Sequence, residues 1–194
     1  MKRVCIYLIA LIIAMPFLIS AQSLIEAVRM SDTALVLKLI KDGADVNQLS
    51  PAGDSPLTTA CQWGDSGMVS LLLENKASPD TPRALRGRTA LMVASAYYSG
   101  TGVCKLLVAK GANVNAISES GKTALMLAAR DGKKDVVEYL LSVGADASKK
   151  DIGGYRALDF AHDIDITIIQ SLKAKDYNVD TDGVVAKLRE VTKP

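Results

Sequence analysis

Residues 121–148 read GKTALMLAARDGKKDVVEYLLSVGADAS, and this stretch decides the fold. Thr123 offers a side-chain oxygen just ahead of an apolar segment, the place of a helix N-cap. Leu125 and Ala128 stand three apart and share one helical face. Val136-Val137 and Leu140-Leu141 then recur at helical spacing, which predicts a second amphipathic helix. Gly144 follows, where a left-handed residue can end that helix. The stretch is a pair of short helices. Neither carries enough apolar surface to stand alone, so the pair needs neighbours of its own kind.

Those neighbours lie along the chain. Ser23-Leu24-Ile25-Glu26-Ala27, Pro56-Leu57-Thr58-Thr59-Ala60, Ala90-Leu91-Met92-Val93-Ala94 and Ala157-Leu158-Asp159-Phe160-Ala161 all align with Ala124-Leu125-Met126-Leu127-Ala128. The closing alanines fall at 27, 60, 94, 128 and 161, spaced 33, 34, 34 and 33. A second motif trails each helix pair: Gly43-Ala44-Asp45-Val46-Asn47, Lys76-Ala77-Ser78-Pro79-Asp80, Gly111-Ala112-Asn113-Val114-Asn115 and Gly144-Ala145-Asp146-Ala147-Ser148. Ser55-Pro56 supplies an N-cap oxygen and a first-turn proline, and Thr89 can cap like Thr123. Alanine suits the close approach of neighbouring helices. Leu57, Leu91, Leu125 and Leu158 form a continuous stripe, each worth about 1.5–3 kcal/mol when buried. Lys76 stands where the other copies have glycine, so its helix end is expected to be strained or different.

These motifs resemble the ankyrin repeat, with Gly53 to Asp80 and Gly121 to Ser148 as the best copies. The resemblance covers about Ser23 to Lys173. It implies an all-α repeat solenoid of five stacked helix-turn-helix repeats with short β-hairpin loops. The expected organisation is a signal peptide over 1–21, a repeat domain over 22–175 and a C-terminal cap or tail helix over 176–194. Repeats are placed at about 22–52, 53–86, 87–120, 121–153 and 154–175.

The resemblance also implies a binding scaffold with a concave face made of hairpin tips and inner helices. Its variable positions, carried over one by one, fall on Asp54, Gln62 and Trp63 in repeat two. In repeat three they fall on Arg86, Arg88, Tyr97 and Tyr98, and in repeat four on Glu119, Lys122, Arg130 and Asp131. Trp, Tyr and Arg dominate interface energetics. The candidate partner-binding set is therefore Trp63, Tyr97, Tyr98, Arg86, Arg88, Lys122 and Arg130. Trp63 and Tyr97 are 34 residues apart, one repeat, and so are neighbours on one strip. The same spacing fits aromatics that fill gaps between repeats, and the sequence leaves both readings open. Two irregularities sit beside the pair. The loop from Tyr97 to Gly102 and the hairpin from Asp80 to Arg86 are each one residue longer than their counterparts.

Composition narrows the partner. The chain has 194 residues and a net charge of +2, from 23 basic and 21 acidic residues. Lys2 and Arg3 account for that excess, so the rest is neutral. Nucleic-acid binding needs a cationic surplus that this chain lacks. Met1-Lys2-Arg3 followed by an apolar run from Val4 to Phe17 has the layout of a secretory signal peptide, with a cut after Ala21. The run is shorter than the ~20 residues of a spanning helix, so the expected product is exported, periplasmic or secreted, and not inserted in a membrane. An uncleaved anchor is the alternative. Cys61 and Cys104 lie in apolar helical patterns and read as buried free thiols.

Catalytic motifs fail on context. Ala116 to Thr123 resembles a relaxed phosphate loop, but that loop needs a preceding strand, and the repeat already explains Gly121 and Thr123. Gly64-Asp65-Ser66-Gly67 resembles a serine-protease nucleophile segment. Its base would have to be His162, about three repeats away, which a stack of repeats cannot deliver. One histidine and two cysteines do not complete a zinc site. Asn178-Val179-Asp180-Thr181-Asp182-Gly183 alternates oxygen donors like a calcium loop, although Arg189 occupies the bidentate glutamate position. A degenerate final hairpin fits the same residues.

The expected function is a non-catalytic protein–protein interaction module acting outside the cytoplasm. It uses no cofactor and no metal, is monomeric, and binds an unidentified protein through repeats two to four. The alternatives are an accessory or immunity factor for a periplasmic enzyme or toxin, or calcium binding through residues 178–190.

Overall fold

The computed structural model describes residues 24–81, 86–97, 101–161, 170 and 172. Within them the chain forms α1 over 24–29, α2 (Thr33–Lys41), α3 (Pro56–Trp63), α4 (Ser66–Glu74) and α5 (Ala90–Tyr97). It continues with α6 (Thr101–Ala109), α7 (Ala124–Arg130), α8 (Lys134–Ser142) and α9 (Ala157–Phe160). The helices come in pairs. First helices α3, α5, α7 and α9 pack on one another in that order, and second helices α4, α6 and α8 form a parallel layer behind them.

One core runs between the two layers. Leu24, Leu57, Leu91 and Leu125 are each at most 1% exposed, so the leucine stripe does line up in a common interior. Met68, Leu72, Cys104, Leu107, Val136 and Leu140 close it from the second layer. The small residues Ala60, Ala94 and Ala128 are buried where first helices meet. Leu158, in α9, is only partly buried against the same core. Leu172 is fully buried in it.

Helix starts follow the sequence closely. The Ser55 hydroxyl accepts the Thr58 N–H at 3.1 Å, and the Ser55 N–H donates to Thr58 Oγ1 at 2.9 Å. Thr123 Oγ1 accepts from Met126 at 3.2 Å, and Thr89 Oγ1 from Met92 at 3.4 Å. Asp65 caps α4 by accepting the Met68 N–H at 2.9 Å. Each bond satisfies an amide that a helix start leaves without an internal partner. Where second helices end, Gly43, Gly111 and Gly144 have φ of +96°, +88° and +91°. Lys76 takes the same left-handed backbone with φ +69° despite its Cβ. The strained helix end expected there is present.

The expected β-hairpins are reduced to tight turns, and no strand occurs among the described residues. Ser118 donates to the Lys122 carbonyl at 3.0 Å and Gly121 to the Ser118 carbonyl at 2.8 Å. Ser50 with Asp54, and Asp151 with Tyr155, repeat that closure. A loop sealed within five residues leaves no extended arms on which a ladder could form. Successive turns are nevertheless linked. The Glu119 N–H donates to the Arg86 carbonyl at 3.2 Å, and the Ile152 N–H to the Ser120 carbonyl at 3.2 Å. A Cβ on Gly121 would lie 3.0 Å from the backbone of Asp151 and Ile152, so the close approach of these turns requires glycine there.

Several sequence readings fall outside the described residues: the leader over 1–21, Tyr98, His162, and the segment 176–194 with its calcium-like loop.

Candidate binding face

The face is built at the C-terminal ends of the first helices. α3 stops at Trp63 because Gly64 turns left-handed, with φ +69°. Ala60 and Cys61 point into the core, Gln62 is half-buried, and Trp63, one step further round, is 61% exposed. Tyr97 holds the equivalent place at the end of α5 and is 49% exposed. The two aromatics therefore do not fill gaps between repeats. They stand out from adjacent helices at one register position.

The same position in repeat one is Met30, three residues after Ala27 and 74% exposed. Sequence reasoning missed it, although counting from the closing alanine finds it. Repeat one is tied to repeat two here, since Ser31 Oγ donates to Asp65 Oδ2 at 2.7 Å. In repeat four the register falls on Asp131, which grips its neighbour. Arg130 Nε donates to Asp131 Oδ1 at 2.7 Å and Nη2 to Oδ2 at 2.9 Å. That paired carboxylate, helped by Tyr97 and opposed by partial burial, holds the Arg130 guanidinium charged even more firmly than usual. The row thus reads Met30, Trp63, Tyr97, then a closed ion pair.

The turns supply the second line of candidates. Arg86 is exposed with φ +75°, followed by Gly87 at +59°, two left-handed residues in succession ahead of α5. Arg88 is half-buried. Lys122 is engaged within the stack, its Nζ 4.7 Å from the centroid of the Phe160 ring. A cation over a ring face is attracted by the ring quadrupole, worth about 0.5–1 kcal/mol at an exposed site. Tyr155 leans on the same Phe160 at 6.0 Å between centroids. Ile117, Ile152 and Tyr155 are exposed at 60%, 81% and 56%, apolar turn residues that the family's variable positions in repeats two to four did not include.

Cys61 and Cys104 are buried free thiols. Burial pushes both thiols up in pKa, and at Cys61 the charge of Cys104 adds to it. Among the described residues no group of His, Cys, Asp and Glu could hold a metal, and no helix is long and apolar enough to cross a membrane. What the row offers chemically is apolar contact area with indole and phenol donors at its centre.

A family model of ankyrin repeats matches three overlapping stretches, residues 24–118, 78–151 and 95–182. Rat ankyrin repeat and SAM domain-containing protein 6 is 34% identical over 132 residues, 66% of this chain and 15% of the relative. The Drosophila melanogaster ankyrin repeat and KH domain-containing protein mask is 40% identical over 110 residues, 55% of this chain and 3% of the relative. Mouse neurogenic locus notch homolog protein 1 is 32% identical over 120 residues, 62% of this chain and 5% of the relative. The chain thus spans a small fraction of the length of these relatives.

Proposed function

We propose that this chain, which belongs to the ankyrin repeat family, is a protein-binding module acting outside the cytoplasm, taking its partner on the first-helix ends and turns of repeats two to four. Ankyrin repeats generally mediate protein–protein interaction, and the family is typically non-catalytic. The observation that carries the choice of face is the exposure of Trp63 and Tyr97 at one register position on adjacent helices. Large aromatics rarely stay in water without use, and they pair a broad apolar surface with few rotatable bonds. Arg86 and Arg88 lie on the turn that leads into the helix ending at Tyr97 and add donors at the other end of the same repeat. Export is supported by the basic start and apolar run of residues 1–21.

Two measurements test this reading. Partners are captured from the exported fraction of the source cells with wild-type bait and with the Trp63→Ala/Tyr97→Ala double variant. The expected result is a protein lost from the variant while its helical circular dichroism is unchanged. Equal capture by both baits removes the proposed face. N-terminal sequencing of the exported protein is expected to begin at Gln22; a whole chain with its repeats outside is the uncleaved anchor, and a chain found whole in the cytoplasm removes the export reading.

A further inference from the structure

The turns between helix pairs form a ladder, and its last rung stands open. The Glu119 N–H donates to the Arg86 carbonyl, and one repeat later the Ile152 N–H donates to the Ser120 carbonyl. Each turn tip therefore leans on the turn before it. A Cβ on Gly87 would lie 3.0 Å from Glu119, and one on Gly121 would lie 3.0 Å from Asp151 and Ile152. The next members in register are Gly153 and Gly154. Gly154 has the same left-handed backbone, with φ +82°, but among the described residues a Cβ there would meet nothing within 4 Å. Among the described residues nothing donates to the Gly153 carbonyl.

This last turn is otherwise complete. The Asp151 N–H donates to the Tyr155 carbonyl and the Gly154 N–H to the Asp151 carbonyl, both at 2.9 Å. What differs is its cover. Ser120, Gly121 and Lys122 are half-buried, whereas their counterparts Gly153, Gly154 and Tyr155 are exposed. Ile152, at the tip, is 81% exposed. The open edge thus joins a free carbonyl to two apolar side chains.

Register names the segment due at this edge. Leu107 in α6 and Leu140 in α8 are fully buried, and twelve residues after each comes a turn tip, Glu119 and Ile152. Leu172 is the fully buried leucine that follows α9, and twelve residues after it stands Val184. The preceding Asn178-Val179-Asp180 echoes Asp45-Val46-Asn47, which leads into an earlier turn. Val184 is apolar where Glu119 is charged, which suits a tip that meets Ile152 and Tyr155.

We infer that residues 176–194 of the same chain dock on the open edge of the last turn, with the Val184 N–H donating to the Gly153 carbonyl and the Val184 side chain covering Ile152. The chain thereby carries its own end cap. An edge left open would accept the turn of another copy end to end.

Hydrogen exchange of the full-length chain, read amide by amide by NMR, tests the inference. The Val184 amide is expected to exchange about tenfold slower than in a free peptide of residues 176–194, the scale of one net hydrogen bond. Val184→Pro removes the donor and is expected to speed exchange at Asp151 and Gly154 by a similar factor, with α3 to α8 as protected as before. Val184→Ala keeps the donor and loses only part of the cover, so its turn amides are expected to exchange faster than wild type and slower than the proline variant. Free-peptide rates throughout 176–194 overturn the inference. Wild-type rates at Asp151 and Gly154 in both variants overturn it too, because the segment then lies elsewhere. Protection that fades on dilution also overturns it and assigns the edge to a second copy.

Discussion

Asn115 reaches across a repeat boundary to Gly144, donating from Nδ2 to the Gly144 carbonyl at 3.0 Å. Its Oδ1 meanwhile accepts the Asp146 N–H at 2.8 Å. Asn47 does the same one boundary earlier, bonding the Lys76 carbonyl at 3.3 Å and the Ser78 N–H at 2.8 Å. Asp80 sits at the corresponding place between them. Its carboxylate accepts the Asn113 N–H at 3.0 and 3.2 Å, but it has no proton to donate. Asp80→Asn supplies that donor for the Gly111 carbonyl. We expect a stability gain of about 0.5–1 kcal/mol, the net worth of one hydrogen bond. Urea unfolding followed by helical dichroism checks it. A loss instead would mean that the charge-assisted acceptance from Asn113 outweighs the missing donor.

Lys76 is the outlier among the second-helix ends. Gly43, Gly111 and Gly144 adopt the left-handed backbone with nothing within 4 Å of a notional Cβ, so only backbone conformation distinguishes these sites. A side chain in that conformation costs about 1–2 kcal/mol, partly offset by the greater freedom glycine has when unfolded. Lys76→Gly is therefore expected to stabilise by about 1 kcal/mol, and Gly144→Lys to destabilise by a similar amount. Denaturation midpoints of the two variants should move in opposite directions. Movement in one direction would show that the Lys76 side chain contributes a contact that compensates its backbone.

The contrast between these helix ends and the exposed row shows how far the sequence carries. The helix pairs were legible because alanine and leucine recur on one face, and because Ser55 and Thr123 announce helix starts in their chemistry. Local bonding decides such features, so local sequence reveals them. The exposure of Trp63 and Tyr97 was not legible, since a helix-end aromatic reads alike whether it faces a neighbour or water. The contact of the Lys122 ammonium with Phe160, which belongs to the next repeat, is likewise absent from the sequence. Pairings of that kind depend on how repeats stack, and single-repeat motifs do not encode them. The family pattern names the shape of the loop and not its length, so the sequence does not show that these turns close too tightly for a ladder.

The two buried thiols give the fold a pH dependence with a definite sign. Burial is the larger cause at each site, raising the pKa from the ordinary 9.0 in the folded chain. Below that value both states hold their thiol protons and nothing changes. Above it the unfolded chain releases them while the folded chain does not, so stability falls as pH climbs past 9.0. Urea midpoints across that range should decline for wild type and decline less for Cys61→Ala. A parallel decline in both would assign the loss to other groups. The same burial predicts that thiol reagents label neither residue until the chain unfolds.

Leu125 and Leu158 hold equivalent places in α7 and α9, but one lies mid-stack and the other near its end. Leu125 is fully buried between neighbouring repeats, and Leu158 is only partly so. In a one-dimensional stack a central residue serves two interfaces, whereas a terminal one serves chiefly the interface toward the middle. Leu125→Ala should cost about 2–5 kcal/mol by leaving a cavity that rigid neighbours cannot close. Leu158→Ala should cost less, because its site already opens partly to solvent. The shapes of the transitions should differ as well. A central cavity lowers the midpoint of the whole unfolding curve, while a weakened end frays first and flattens it. If Leu158→Ala proved the costlier change with a curve as steep as wild type, α9 would be an integral part of the core and the stack would not end there energetically.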